Sequence, residues 1–298
     1  MKKITTILLF TVITASCQDY GTMKIMASLP RSLKEVSGIE KFPKDNVLWA
    51  INDSRNLPEI YGYDLKTSKI EHVIRLKKAT NIDWEDLASG PDNSLYVGDF
   101  GNNANNREDL VIYHIKDPSN LEKRRYEAPA TTFRYEDQEE FPPKKTKQNF
   151  DVEAFVVWQD HFYLFTRNRA KNFDGTSKIY KIPVKEGDFI AEKIGEFDSC
   201  DDDDDCMITG ADIHESSGKL ALVSYNKVWI FSDFTGDDFT SGTIKKIKLG
   251  HTSQKESICF ATENILLIAD EKSHGRGGNL YRLDLDELQT ESKSEEKP

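Results

Sequence analysis

Asp83-Trp84-Glu85-Asp86 places three carboxylates within four residues, directly ahead of apolar Leu87-Ala88 and the turn-forming Ser89-Gly90-Pro91-Asp92-Asn93. Thirteen residues after Asp86, Asp99 sits in Gly98-Asp99-Phe100-Gly101-Asn102-Asn103. Carboxylate and amide oxygens at this density are hard donors, of the kind Ca²⁺ takes roughly six to eight at a time. Without a counter-charge they would raise one another's pKa values instead. Similar groups recur along the chain: Glu35 before Val36, Asp151 and Glu153 around Val152, Thr209 and Asp212 around Gly210-Ala211, and Glu256 before Ser257. A second series follows the next apolar run each time. It comprises Asn52 and Asp53, then Asp99 with Asn102 and Asn103, then Arg167 and Arg169, Tyr225 and Asn226, Asp270 and Glu271.

Other reactive signatures are missing. There is no Gly-x-Ser-x-Gly elbow, no His-Glu-x-x-His and no phosphate-binding glycine loop. The six histidines are scattered and none falls at the acidic positions, which argues against a histidine-based hydrolase. Gly275-Arg276-Gly277-Gly278 reads as a flexible turn. The run Asp201 to Asp205 lacks the spacing of a preformed Ca²⁺ loop and reads as a solvated loop.

The elements that must position the acids are short strands. Val36–Ile39, Val47–Ile51, Ile60–Leu65 and Ile70–Leu76 are apolar or alternating runs separated by turn residues, four in about fifty residues, the pattern of a propeller blade. The order repeats at Leu87–Ala88, Leu95–Val97, Leu110–Ile115 and Phe133–Tyr135, after which residues 136–149 read as an exposed insertion. It repeats again from Ala154 to Phe197 and from Ala211 to Leu249. The last repeat, Ser257–Ala261, Ile265–Ala269 and Leu280–Leu285, lacks its outer strand, and Met23–Leu29 has no repeat of its own. The fold expected is therefore an all-β propeller over residues 23–285, with five blades favoured over six and the ring closed by the N-terminal strand. A β-sandwich is the architectural alternative. In a blade, the start of the first strand and the end of the second share one face of the disc. Both polar series would then converge on one channel mouth: Glu35, Asn52, Asp53, Asp83, Glu85, Asp86, Asp99, Asn102, Asn103, Asp151, Glu153, Asp212 and Glu256. The arginines are placed to supply counter-charge. Singly, such residues also serve as turn formers that bind local backbone amides.

The net charge of −11 over 298 residues argues against nucleic acid or an anionic membrane surface as the main partner. At the N-terminus, Lys2-Lys3, the apolar Ile4–Ile13 and the small residues before Cys17 read as an export signal too short to span a bilayer. Cys17 after Ala15-Ser16 fits a lipoprotein signal over residues 1–17, with acylation of Cys17; secretory cleavage with an unmodified Cys17 is the alternative. Residues 18–22 would be a tether and 286–298 a disordered polar tail. The expected location is the cell envelope, lipid-anchored. In that oxidising compartment Cys200 and Cys206 could form a disulfide around the aspartate run, with Cys259 a buried free thiol.

The Asp-Trp-Glu-Asp and Gly-Asp-x-Gly-Asn-Asn pair, with Glu35-Val36-Ser37-Gly38-Ile39, Asn52-Asp53, Asp151-Val152-Glu153-Ala154 and Thr209-Gly210-Ala211-Asp212, resembles a group of bacterial exported β-propeller lipoproteins. More distantly the chain is similar to esterase-like phytase and SdiA-regulated propellers, and to Ca²⁺-dependent lactonase propellers such as gluconolactonase and paraoxonase. The last resemblance implies a metal held by channel-facing oxygens, with Glu35, Glu85, Asp99 and Glu153 as the matching positions. Two functions follow as expectations. The first is a membrane-anchored propeller binding Ca²⁺ and an unidentified small-molecule or protein ligand at an acidic mouth. The alternative is a Ca²⁺-dependent hydrolase of an ester, lactone or phosphoester, with Glu85 or Glu153 activating water.

Overall fold

The computed structural model describes residues 19–121, 124–200 and 202–288. The signal segment, Cys17 and the tail beyond residue 288 lie outside the described residues. Among the described residues no helix is long and apolar enough to cross a membrane.

The chain is all-β and runs as successive antiparallel meanders. The first consists of β2 (Val36–Glu40), β3 (Val47–Asn52), β4 (Glu59–Asp64) and β5 (Lys69–Leu76). The second is β6 (Trp84–Gly90), β7 (Ser94–Asp99), β8 (Leu110–Lys116) and β10 (Ala130–Tyr135). The third is β11 (Asp151–Trp158), β12 (His161–Arg167), β13 (Thr176–Pro183) and β14 (Gly187–Asp198). The fourth is β15 (Gly210–His214), β16 (Lys219–Val223), β17 (Lys227–Ser232) and β18 (Thr243–Lys248). The chain ends with β19 (Lys255–Thr262), β20 (Ile265–Asp270) and β21 (Asn279–Asp284), and β1 (Lys24–Ser28) pairs antiparallel with β21 to complete that sheet.

The first strand of each meander packs against the first strand of the next, from β2 through β6, β11, β15 and β19 and back to β2. That closed circuit is the arrangement of a β-propeller. Its burial follows from it. Val47–Asn52 is buried at every position, whereas the outer β18 and β1 are mostly exposed. Apolar clusters fill the wedges between neighbouring meanders. Trp49 meets Trp84 and Val97 in one, and Tyr96 meets Phe155 and Phe162 in another. At the closure, Leu48 and Tyr63 meet Cys259 and Leu267.

Two pairings were not legible in the strand spacing. The edge strand β9 (Arg125–Tyr126) runs parallel to β5, and β10 runs parallel to the first half of β14, joining the second and third meanders into one eight-stranded sheet. Both cover backbone edges that would otherwise be open to other chains. β14 is twelve residues long, enough to pair with β10 at one end and β13 at the other.

Cys200 and Cys206 are disulfide-bonded with Cα atoms 5.6 Å apart, and Cys259 is a buried free thiol. The bridged loop is docked on the turn after β16. Asp205 forms an ion pair with Lys227 (3.1 Å), and its carbonyl accepts from the Ser224 hydroxyl (2.5 Å). Replacing both cysteines by serine is expected to lower stability by about 2 kcal/mol, from the chain entropy of a short closed loop. A denaturant midpoint unchanged by the substitution would show that the docked loop holds without the bridge.

Candidate functional site

The site is built by β-bulges. In β2 the pairing register with β3 shifts between Val36 and Gly38, and in β6 it shifts between Trp84 and Asp86. In β11 the shift falls between Val152 and Ala154, and in β19 between Lys255 and Ser257. The residues passed over are Ser37, Glu85, Glu153 and Glu256. A bulge re-aims the side chain of the extra residue, and all four line a single cavity of about 220 Å³ at the channel mouth. Asp53, Asn103, Arg167, Arg169, Tyr225 and Glu271 reach the same cavity from the ends of the second strands and the loops that follow them, and Gln254 from just ahead of β19.

Two of the lining carboxylates, Asp53 and Glu85, meet Asp83: one oxygen from each of the three lies within 4.8 Å of the other two. Asn81, which the sequence reading passed over, sets this geometry. Its amide donates to the carbonyls of Asn52 (2.8 Å) and Asp53 (2.9 Å), and its oxygen accepts from the Trp84 N–H (3.1 Å). An Asn three residues ahead of Trp84 was the available signal. Gly101 lets the cluster close: a Cβ there would stand 2.0 Å from Glu85 Oε1 and 2.6 Å from the Asp83 carboxyl carbon. The Asn103 amide reaches Asp83 at 3.5 Å.

The opposite wall is charge-compensated. Arg169 donates to Asp151 (2.6 Å) and Glu153 (2.7 Å), and Arg167 to Glu153 (3.1 Å) and the Tyr225 hydroxyl (3.0 Å). Glu256 accepts from Tyr225 (3.3 Å) and lies 3.8 Å from Arg167. Among the described residues, no ion pair reaches Asp53, Asp83 or Glu85.

Protonation follows this division. Burial and then Asp53 and Glu153 push the Asp83 carboxyl up to about 7. Burial, reinforced by Glu153, Asp53, Asp83 and Asp151, holds Glu85 well above the usual carboxylate range. Burial also raises Asp53, with Glu153 adding to it. Glu256 is pushed up to about 8 by burial, against the pull of Arg167 and with Glu153 adding to the rise. Burial and Glu153 bring Asp151 to about 7 despite Arg169.

Several expected ligands go elsewhere. Glu35 lies ahead of the bulge, pairs with Lys34 (2.9 Å) and accepts from Asn56 (2.7 Å), which lower its pKa. Ser37 takes its place in the cavity. Asp86, one residue past its bulge, is fully buried and accepts the backbone N–H groups of Leu87, Phe155 and Ala211, which ties β6 to β11 and β15. Asp212 likewise accepts from Ile213 and Phe260 (2.7 and 2.6 Å). Asp99 accepts from Ile82 and Asp83 and pairs with Arg107 (3.1 Å). Asn102 accepts from Asn106 and Arg107, and Asn52 donates to Ser32 (2.8 Å). Asp86, Asp99, Asp212 and Asn102 are thus buried polar groups with backbone partners, the ordinary state of such groups, while the buried side-chain oxygen of Asn52 has no hydrogen-bond partner among the described residues. Glu153 is held by two arginines, which does not suit a water-activating base.

No family model matches the chain, and no curated protein does. Among solved structures it is similar to a PQQ-bound aldose sugar dehydrogenase from Streptomyces coelicolor, 11% identical, covering 89% of this chain and 98% of that one, with a TM-score of 0.48. It is also similar to a gluconolactonase from Xanthomonas campestris, 14% identical, covering 80% of this chain and 68% of that one, with a TM-score of 0.43. At TM-scores below 0.5 these likenesses carry no argument about activity, and the fold rests on the sheet geometry itself.

Proposed function

We propose that the channel mouth is a divalent-cation site, Ca²⁺ by the chemistry of its donors, on which a further small-molecule or protein ligand assembles. The observation that carries it is the Asp53, Asp83 and Glu85 cluster, three hard oxygen ligands in mutual reach with no ion-pair partner beside a wall whose acids are neutralised by arginine. Like charges held this close and buried demand either protons or a cation. Three carboxylates with room for water suit Ca²⁺, which tolerates irregular coordination, better than Mg²⁺, which demands a near-ideal octahedron. The same reading has five blades around the channel, with Cys17 acylated and the domain held at the cell envelope.

Melting the purified domain in EDTA and in Ca²⁺ tests the site. A ligand present at about 100 times its Kd stabilises the native state by about 2.7 kcal/mol. Ca²⁺ is therefore expected to raise the melting temperature by several degrees, Mg²⁺ by less, and an Asp83→Asn protein to lose most of the rise. No shift in either medium would end the proposal.

One observation favours hydrolysis as the second reading. Glu256, with its pKa near 8, keeps a proton at neutral pH on the cavity wall beside Tyr225, as a general acid must. A bound Ca²⁺ would supply polarisation of an ester or phosphoryl oxygen. Turnover of generic esters, lactones and phosphoesters that disappears in Glu256→Gln would move the assignment from binder to enzyme.

A further inference from the structure

The other end of the channel, on the side of the β2–β3, β6–β7, β11–β12 and β15–β16 turns, opens into a second cavity of about 710 Å³. Apolar and aromatic groups wall it, among them Phe42, Val157, Trp158, Ile213 and Phe260. Two of the carboxyl groups that line it, Glu40 and Asp212, are more than nine-tenths buried. Glu40 accepts from the backbone N–H groups of Lys41 (2.6 Å) and Ser89 (2.9 Å), as Asp212 does from Ile213 and Phe260, so both carboxyls are fixed in place. Among the described residues no lysine or arginine forms an ion pair with Glu40, Asp86 or Asp212. Around the whole cavity Glu40, Asp92, Asp160, Asp212 and Glu215 stand against Lys41, Lys44 and His214, five acids to two lysines and a histidine.

We propose that this second cavity is a binding site for a small organic cation, a protonated amine on an apolar or aromatic body. The apolar walls supply burial for the body, and the clamped Glu40 and Asp212 pair supplies the counter-charge. Pockets that bind small molecules combine such walls with a few convergent polar groups, and an indole adds attraction for a cation near its ring. Each carboxyl acts on the protonation of the other, and burial raises both pKa values, with Asp212 at about 6. An ammonium would supply the positive charge that the pair otherwise takes as a proton. The mouth cluster of Asp53, Asp83 and Glu85 has no comparable apolar wall: the residues around it are charged or polar apart from Val36. The two ends of the channel therefore select different cations.

The test uses phenethylamine as the probe and phenethyl alcohol as its uncharged counterpart, both with Ca²⁺ present. Of the four tryptophans, Trp49, Trp84 and Trp229 are fully buried and Trp158 is not, so Trp158 reports on the cavity. Phenethylamine is expected to change the tryptophan fluorescence saturably, and the alcohol to bind at least tenfold more weakly. Trp158→Phe is expected to abolish the optical signal while calorimetry still detects binding, and Asp212→Asn to weaken binding at least tenfold. Asp83→Asn, at the far mouth, is expected to leave amine binding unchanged, which separates this site from the Ca²⁺ site. Equal binding of amine and alcohol, no saturation at tens of millimolar, or loss of amine binding in Asp83→Asn would each overturn the proposal. The comparison of the two probes on the parent protein stands even where Asp212→Asn fails to fold.

Discussion

A Gly101→Ala protein is expected to melt within a few degrees of the parent in EDTA and to gain no stability from Ca²⁺. The backbone at Gly101 is not in the left-handed region, so alanine is conformationally allowed there. What the added Cβ meets is side chain: Glu85 Oε1 at 2.0 Å, and the Asp83 carboxyl carbon and Oδ2 at 2.6 Å. Carboxylate ends can swing aside at modest cost, so the fold survives. They cannot swing aside and still hold a common ion with Asp53. The expected loss is the whole cation-dependent increment, about 2.7 kcal/mol at 100 times Kd. Gly195→Ala is the control, because a Cβ there meets nothing within 4 Å. Differential scanning calorimetry with and without Ca²⁺ reads both variants. A full Ca²⁺ response in Gly101→Ala would place the ion elsewhere.

In EDTA, stability is expected to fall as pH rises from about 4 toward 8. Asp212, Asp83, Asp151 and Glu256 have folded pKa values of about 6, 7, 7 and 8, above the ordinary values of 3.8 and 4.5. Between the ordinary and the raised value the native state holds protons that the unfolded chain has released. The stabilisation from these groups is therefore complete below about pH 4 and is lost as pH climbs through the folded values. For Asp212 alone the loss is on the order of 3 kcal/mol, at 1.36 kcal/mol for each pKa unit. Glu40→Gln offers Asp212 an N–H donor and should flatten the part of the slope between pH 4 and 6. It should also lower stability at every pH, since an amide has one acceptor oxygen for two backbone donors, Lys41 and Ser89. Chemical denaturation across pH 4–8 measures the slope. A parent protein that grows more stable over that range, or a Glu40→Gln slope that matches the parent's, would contradict this account.

The strands, their order and the completion of the last sheet by the N-terminal strand were legible in the sequence, because side-chain alternation and turn residues act over a few neighbours. The position of Asp83 and Glu85 ahead of an apolar run was legible for the same reason, as was the reach of Asp53, Asn103 and Glu256 toward one mouth. Which acids face the cavity was not. A one-residue shift in pairing turns a side chain to the other face, and the shift is set by a partner strand that local sequence does not specify. Bulges at Ser37, Glu85, Glu153 and Glu256 decide it. By them Glu35 is left outside, and Asp86 goes to the backbone of β11 and β15. The Gly98-Asp99-Phe100-Gly101-Asn102-Asn103 segment divides in the same way. Asp99 and Asn102 satisfy buried backbone amides, while Gly101 and Asn103 meet the cluster. Composition and spacing determined how many oxygen donors approach the channel. Only the tertiary pairing, which consumes some of them as acceptors for amides far away in the chain, decided which ones remain to hold an ion.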